Sequence, residues 1–544
     1  MPEHIFSYET GYLDCLGFLL LWIESLAIAI LLVSVVCVLV SRLEKTLWRR
    51  LVVFMVAAIP LLIGIACSVL GWFVLSHNIQ PDWFFAYSFA WTIAYICLCM
   101  VMLKRSNVFQ CDNFNSVLCI KRTIAFTIVC AVWITTFYIM DSAEKEKLIA
   151  YQTQITAQGK SVLPKPVSVV DNAMLIYQKA YDELVDHDGD SFFENTDIAS
   201  IDPTSKKAEA FLAMQTKSFE LIRMASAIDG YYFHVGLSVD SPLPLLSPYI
   251  TFAKMLSLDA RAKAIHGDFS GAFEDVLAIH RMADHVGRTP LLLSSMVAAR
   301  VHQVASFAQE YILANTASIP KGFKSDFAVR YGNLLYDHFR QSMVIEGLKL
   351  KSEFASLMIK GDSRTLTSLF ATGVYRVFAA PYDVIYLEQY WSKVKELYEQ
   401  PMFIAISKLD TFGKGIGKPA FLASFEYPEV PAYGIYAKHI ATAQARLLLA
   451  DAGVSIARYR QEHGHDPKTF AELIPDYLSK VPTDPFNGEP IHMKHSSNGL
   501  ILYSVGNNLK DDGGLAYDKV NKTGDISFYM GEAYTRYRLQ IPHK

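Results

Sequence analysis

The chain has 544 residues, 52% of them hydrophobic, and a formal net charge of −3. It is too long for a single compact core and carries no basic field of the kind that condenses on nucleic acid, so a nucleic-acid partner is not expected. All eight cysteines, from Cys15 to Cys130, precede residue 131, which excludes a disulfide scaffold or a thiolate metal site from the large C-terminal region.

The apolar excess is concentrated at the front. Residues 16–41, 51–75, 83–103 and 123–140 are each nearly unbroken apolar runs, of the length that crosses about 30 Å of hydrocarbon as helix. Trp48, Trp72 and Trp83 sit at the predicted boundaries, where amphipathic rings favour the headgroup layer. The joint after the first run carries Arg42, Lys45, Arg49 and Arg50, and the joint after the third carries Lys104, Arg105, Lys121 and Arg122. The N-terminal tail and residues 76–82 have no Lys or Arg, so the charge rule places both chain ends on the non-cytoplasmic side. The expectation is a multi-pass protein of a bacterial inner membrane with periplasmic termini and the lipid bilayer as a partner. Glu24, inside the first run, is the one acidic residue in these spans and the site on which a transport or sensing role would turn.

Residues 141–430 read as an α-helical periplasmic array. The fourth span is expected to continue out of the membrane over residues 141–159, followed by a helix at 171–185 with Asp171 as its N-cap. Further helices are expected at 205–228, 247–266, 270–286, 290–314, 323–360 and 382–399. Residues 262–287 have the form of one helical hairpin with a Gly-Asp joint, like one unit of a solenoid, although no period of 34 repeats. Residues 366–385 are apolar enough to touch a membrane surface, but Arg376 and Asp383 interrupt them and favour a buried helix. Glu274, Asp275 and His280 are the residues an enzyme of the envelope would use here. His280 and His285 are five apart, about 140° round a helix, and so do not form the i, i+4 pair of a helical metal site. The stretch Gly413-Lys414-Gly415-Ile416-Gly417-Lys418 lacks phosphate-loop spacing and reads as a flexible joint.

After Pro431 the pattern changes. Ile440, Leu447 and Val454 recur every seven residues, with Ala443, Ala450 and Ala457 three later, an a/d stripe along one long helix that ends near Gly464. A short helix at 468–474, a hairpin of 491–495 with 500–505 through the turn Ser496-Ser497-Asn498-Gly499, where Asn-Gly is favoured, and a third strand at 525–530 complete an α+β unit, one long helix on a small antiparallel sheet. Tyr459 to Pro467, Leu473-Ile474-Pro475-Asp476-Tyr477-Leu478, Val481-Pro482-Thr483-Asp484-Pro485-Phe486, Leu502-Tyr503-Ser504-Val505-Gly506 and Asp511-Asp512-Gly513-Gly514 follow in order. Across residues 437–530 this series resembles the globular domain of the major pseudopilin of type II secretion. The resemblance implies that fold, an association with secretion or envelope assembly, and calcium in the loop after the Tyr-Ser-x-Gly strand. Asp511, Asp512 and Asp525 offer the hard oxygen ligands that calcium takes, with Asp518 as an additional candidate.

The chain is therefore expected to divide at 1–140, 141–430 and 431–544: a four-span all-α membrane domain, an α-helical array and an α+β terminal module. No nucleophile elbow, zincin motif or nucleotide loop appears in the exported region. The expected role is a non-enzymatic scaffold or interaction protein with protein partners in the envelope.

Overall fold

The computed structural model describes residues 116–185, 192–193, 201–238, 241–316, 319–320, 323–360, 373, 375–377, 380–415, 433–516 and 523–538. The first three apolar runs, Glu24 and Asp518 lie outside the described residues. The protein is mostly helical, with a three-stranded antiparallel sheet near the C-terminus. The chain divides into two compact units. One comprises Met1–Ala150, Leu357–Ile385 and Lys418–Tyr427; the other comprises Tyr151–Ser356, Tyr386–Gly417 and Pro428–Lys544.

Helix α1, Ser116–Val162, is 47 residues long, about 70 Å at 1.5 Å per residue. The predicted fourth span forms its first half, and the expected continuation to 159 is present without a break. Among the described side chains up to Met140, the large exposed ones are Val132, Tyr138, Ile139 and Met140. Beyond Asp141 the exposed side chains include Lys145, Glu146 and Lys147. The Thr135 and Thr136 hydroxyls donate to the carbonyls of Ala131 and Val132 at 2.7 and 2.8 Å, so neither needs water.

In the second unit, helix α2 spans Ala173–Asp182 and is capped by Asn172 rather than by the expected Asp171. The Asn172 carboxamide bridges two segments: Oδ1 accepts the N–H groups of Met174 and Tyr232, and Nδ2 donates to the Tyr232 carbonyl. The helix expected at 205–228 is two helices, α3 at Lys206–Met214 and α4 at Thr216–Ala227. The break falls at Gln215, which is buried with its side-chain amide engaged on both backbone groups of Val185. A tertiary hydrogen-bond pair has overridden a continuous helical pattern.

Helices α5, Ser247–Ile265, and α6, Phe269–Gly287, form the expected hairpin. Gly267 takes a φ of +81° while the Asp268 N–H reaches back to the Lys263 carbonyl at 2.9 Å, closing α5 in the left-handed manner. The Asp268 carboxylate then accepts the Gly271 N–H and opens α6, so the Gly-Asp pair ends one helix and starts the next. Helix α7, Leu292–Asn315, packs against both. Helices α8, Phe327–Lys360, α9, Ala380–Tyr398, and α10, Met402–Gly415, follow. The last of these takes in residues 413–415, the start of the stretch expected to be a joint.

Helix α11, Tyr433–His463, carries the predicted stripe: Ile440, Ala443, Leu447, Ala450 and Val454 are fully or almost fully buried. So are Ala441, Ala445, Leu449, Ala452 and Ile456, because α7 covers one side of the helix and strands of the sheet another. Gly434–His463 is long and apolar enough to cross a membrane, yet 72% of its apolar window is buried inside the protein. Helices that are hydrophobic all round are buried on several sides. Gly453 is where the sheet comes nearest: a Cβ there would lie 2.7 Å from Cε1 of Phe528. Gly464, at φ +77°, ends the helix as expected.

The short helix expected at 468–474 is a single 3-10 turn at Phe470–Leu473. The sheet has order β1-β2-β3, with β1 at His492–Ser496, β2 at Gly499–Ser504 and β3 at Ile526–Met530. Ser496 faces Gly499, so the expected turn of residues 496–499 is present, with Ser497 and Asn498 at its tip. Gly499 is required for a second reason: a Cβ on it would lie 2.3 Å from the Met530 carbonyl oxygen of β3. On the far side of β3, the buried Glu310 carboxylate of α7 accepts the Tyr529 N–H at 2.8 Å. A helix thereby closes one edge of the sheet.

Candidate functional site

The acidic loop between β2 and β3 brings Asp511, Asp512 and Asp525 together. Ser504 leads into it through Val505 and Gly506, and the turn is fixed by Asp484, a fully buried carboxylate from the Val-Pro-Thr-Asp-Pro-Phe motif. Asp484 accepts the N–H groups of Phe486 and Val505 at 2.9 Å and the Ser504 hydroxyl at 3.0 Å. Two motifs that stand apart in the sequence, Pro-Thr-Asp-Pro and Tyr-Ser-x-Gly, are thus halves of one hydrogen-bonded corner. Burial raises the Asp484 carboxyl, and the three donors pull against it.

Beyond the corner, Gly513 and Gly514 both take positive φ, +74° and +78°. That left-handed pair turns the backbone N–H groups inward. The Asp525 carboxylate accepts the Gly514 N–H at 2.7 Å and the Asp512 N–H at 3.3 Å. In return the Asp512 carboxylate accepts the Gly524 N–H at 2.6 Å and the Asn508 side-chain amide at 2.7 Å. The two strands of the loop are clasped by reciprocal carboxylate–amide bonds. Asp511 lies on the rim, accepting the Gly513 N–H at 2.8 Å, with His492 3.9 Å away. An open groove of about 500 Å³, lined in part by Glu489, His492, Leu509 and Asp511, runs beside it.

The charges in this loop are uneven. Burial pushes the Asp525 carboxyl up to about 6 despite its two N–H donors, and the neighbouring Asp512 and Asp511 charges add to the push. The Asn508 amide, and after it the Gly524 N–H, hold Asp512 below the ordinary carboxylate range. Burial and then the Asp511 charge push the Tyr503 phenol up to about 12. A buried carboxylate repelled by two others suits a hard cation with oxygen ligands. Each carboxylate already accepts a backbone N–H, and the Lys494 ammonium sits 2.6 Å from the Gly513 carbonyl oxygen. Among the described residues no three His, Cys, Asp or Glu side chains converge as a ready ligand set. A metal shell would therefore draw on the remaining carboxylate lone pairs and on backbone carbonyls.

The helical core separates the residues expected of an enzyme. Glu274 is exposed on α6. Asp275 is buried and bound at 2.8 Å by Arg223 and at 2.6 Å by Lys263, which also engage Asp259. Burial raises Asp275 to about 6 against the pull of both cations. His280 points into the core, where its Nδ1 lies 2.9 Å from Nδ1 of His302, beside the rings of Phe327 and Tyr331. Burial drives both imidazoles down, His280 to about 3, so the pair is neutral, with one ring donating to the other. His285 faces elsewhere, 3.2 Å from the Tyr177 hydroxyl and stacked on Tyr231. The 140° separation read from the sequence has become two separate buried environments.

Two buried groups were not singled out from the sequence. Asp451 of α11 accepts the Ala328 N–H at 2.7 Å and the Ser325 hydroxyl, and so tethers the start of α8. Glu310 closes the edge of β3. Each is the one buried acidic residue of its helix, and that isolation was the available signal.

No family model, curated protein or solved structure matches the chain.

Proposed function

We propose that the protein is a membrane-anchored scaffold or interaction protein of a bacterial inner membrane, associated with secretion or envelope assembly. In this reading four spans within residues 1–140 anchor it. The helical array and the pseudopilin-like module stand on the periplasmic side, with calcium bound in the 511–525 loop. The observation that carries it is the surface of α1. Over residues 135–140 the large side chains open to the surroundings are Tyr138, Ile139 and Met140, with Val132 a turn earlier, and beyond Asp141 they include Lys145, Glu146 and Lys147 beside Ile149, the change that a helix leaving hydrocarbon for water requires. The hydroxyls of Thr135 and Thr136, bonded back to their own helix, are satisfied without water, as that depth demands.

A non-catalytic role is supported by the way the acidic and histidine side chains of α6 are consumed by internal partners or left separate on the surface. Glu274, Asp275 and His280 do not face one another, so they supply no acid–base pair. Cross-linked co-purification of the full chain from native membranes tests the reading. Defined envelope proteins should be recovered in fixed proportion. Recovery of the chain alone, under cross-linking that captures a control complex, would remove the scaffold role.

A further inference from the structure

The segment ahead of α9 belongs to the same compact unit as the fourth span, and it is fastened there. A Cβ placed on Gly373 would lie 3.5 Å from the Phe137 ring and 3.5 Å from Asp141 Oδ1, at the last turn of the predicted span. Arg376, 7% exposed, donates one guanidinium N–H to Asp141 and another to the Met358 carbonyl at 2.8 Å. An arginine removed from water needs such partners, and Asp141 is the first charged residue after the apolar run. From there Tyr375, Val377, Ala380 and Asp383 turn inward.

The outward positions of α9 then repeat the change seen on α1. In its first two turns they are Tyr382 and Ile385, 42% and 48% exposed. In the following turns they are Glu388, Gln389, Ser392 and Lys393. Both helices thus change from apolar to polar on their open sides. The ion pair between Asp141 and Arg376 joins the first of these stretches to the segment that leads into the second.

We infer that residues 380–385, held through Arg376, form a second bilayer contact that does not span. The segment is pinned by Arg376 to the Met140 end of the fourth span and lays Tyr382 and Ile385 on the phospholipid interface. The occupant of this apolar face is the bilayer because the segment is continuous with a span that ends within it. Tyr and a branched aliphatic residue are side chains that settle at that depth, roughly 5–10 Å into the headgroup and acyl boundary. The inference rests on the four-span reading.

The test is photo-cross-linking of the full-length chain in native membranes, with benzoylphenylalanine placed singly at Tyr138, Tyr382, Ile385 or Glu396 and the adducts identified by mass. Phospholipid adducts are expected at 138, 382 and 385 and none at 396. Lipid at 138 with protein adducts or none at 382 and 385 overturns the second contact while leaving the span in place. Absence of lipid at 138 overturns the span, and the second contact with it. Asp141→Arg should abolish the lipid adduct at 385, and the exchanged pair Asp141→Arg with Arg376→Asp should restore it. A lipid adduct at 385 that persists in the single variant overturns the pinning.

Discussion

Asp451 shows how one buried carboxylate links two helices and carries a pH signature. It lies in α11, is pushed up to about 6 by burial, and binds the start of α8 through Ser325 and Ala328. A folded carboxyl raised above its unfolded value contributes stability in full below the unfolded pKa, and that contribution is lost as pH climbs through the folded value. Asp451→Asn removes the titration while keeping an acceptor. The native chain should therefore lose stability relative to the variant between about pH 4 and pH 6, by something on the order of 3 kcal/mol. Thermal unfolding of both proteins across that range measures the difference, and a gap that does not change with pH would eliminate this account. His280 and His302 act in the opposite sense: their lowered values withdraw stability as the medium turns acid. Comparing two variants at each pH cancels that shared background.

At the scale of elements, the features legible in the sequence were those with a strong local cause. The Gly267-Asp268 joint, the Gly464 stop and the heptad stripe of α11 each follow from positive φ, capping or periodicity within a few residues. What was not legible came from distant partners. Gln215 splits a helix because Val185 lies beside it. Gly499 serves the Met530 carbonyl as well as the turn. Asn172 is preferred to Asp171 as a cap because Tyr232 presents both a donor and an acceptor, which a carboxamide can satisfy and a carboxylate cannot. Replacement of Asn172 by alanine should cost about 1–2 kcal/mol for the cap and more for the lost bridge. Asp171→Ala removes a bond to the exposed Ser168 hydroxyl and should cost less. Equal destabilisation of the two variants in denaturant would contradict the assignment of the cap.

For the molecule as a whole, the acidic loop makes the most direct prediction. Three carboxylates, one buried and raised to about 6, stand against one ammonium on the Gly513 carbonyl. Calcium binding to the folded loop should raise the melting temperature of the purified chain, with a gain of about 2.7 kcal/mol at a hundredfold excess over Kd. Asp525→Asn should abolish the shift. A melting temperature indifferent to calcium and to chelator would leave the loop as a self-contained clasp of carboxylates and backbone amides. The residue types of this site were readable from the sequence because they cluster within one loop. The reciprocal clasp was not, since it depends on which backbone N–H groups two left-handed glycines turn inward.

Glu310 has a consequence for how the C-terminal module could be handed from one protein to another. The residue that closes β3 belongs to α7, and the same helix covers a side of α11 that the sheet does not reach. The module has borrowed a wall from the chain that precedes it. Cut out at residue 431, it would leave an apolar helix face and a raw strand edge open to solvent. Such a fragment invites self-association. The inheritable unit is accordingly larger than residues 431–544, and it includes α7.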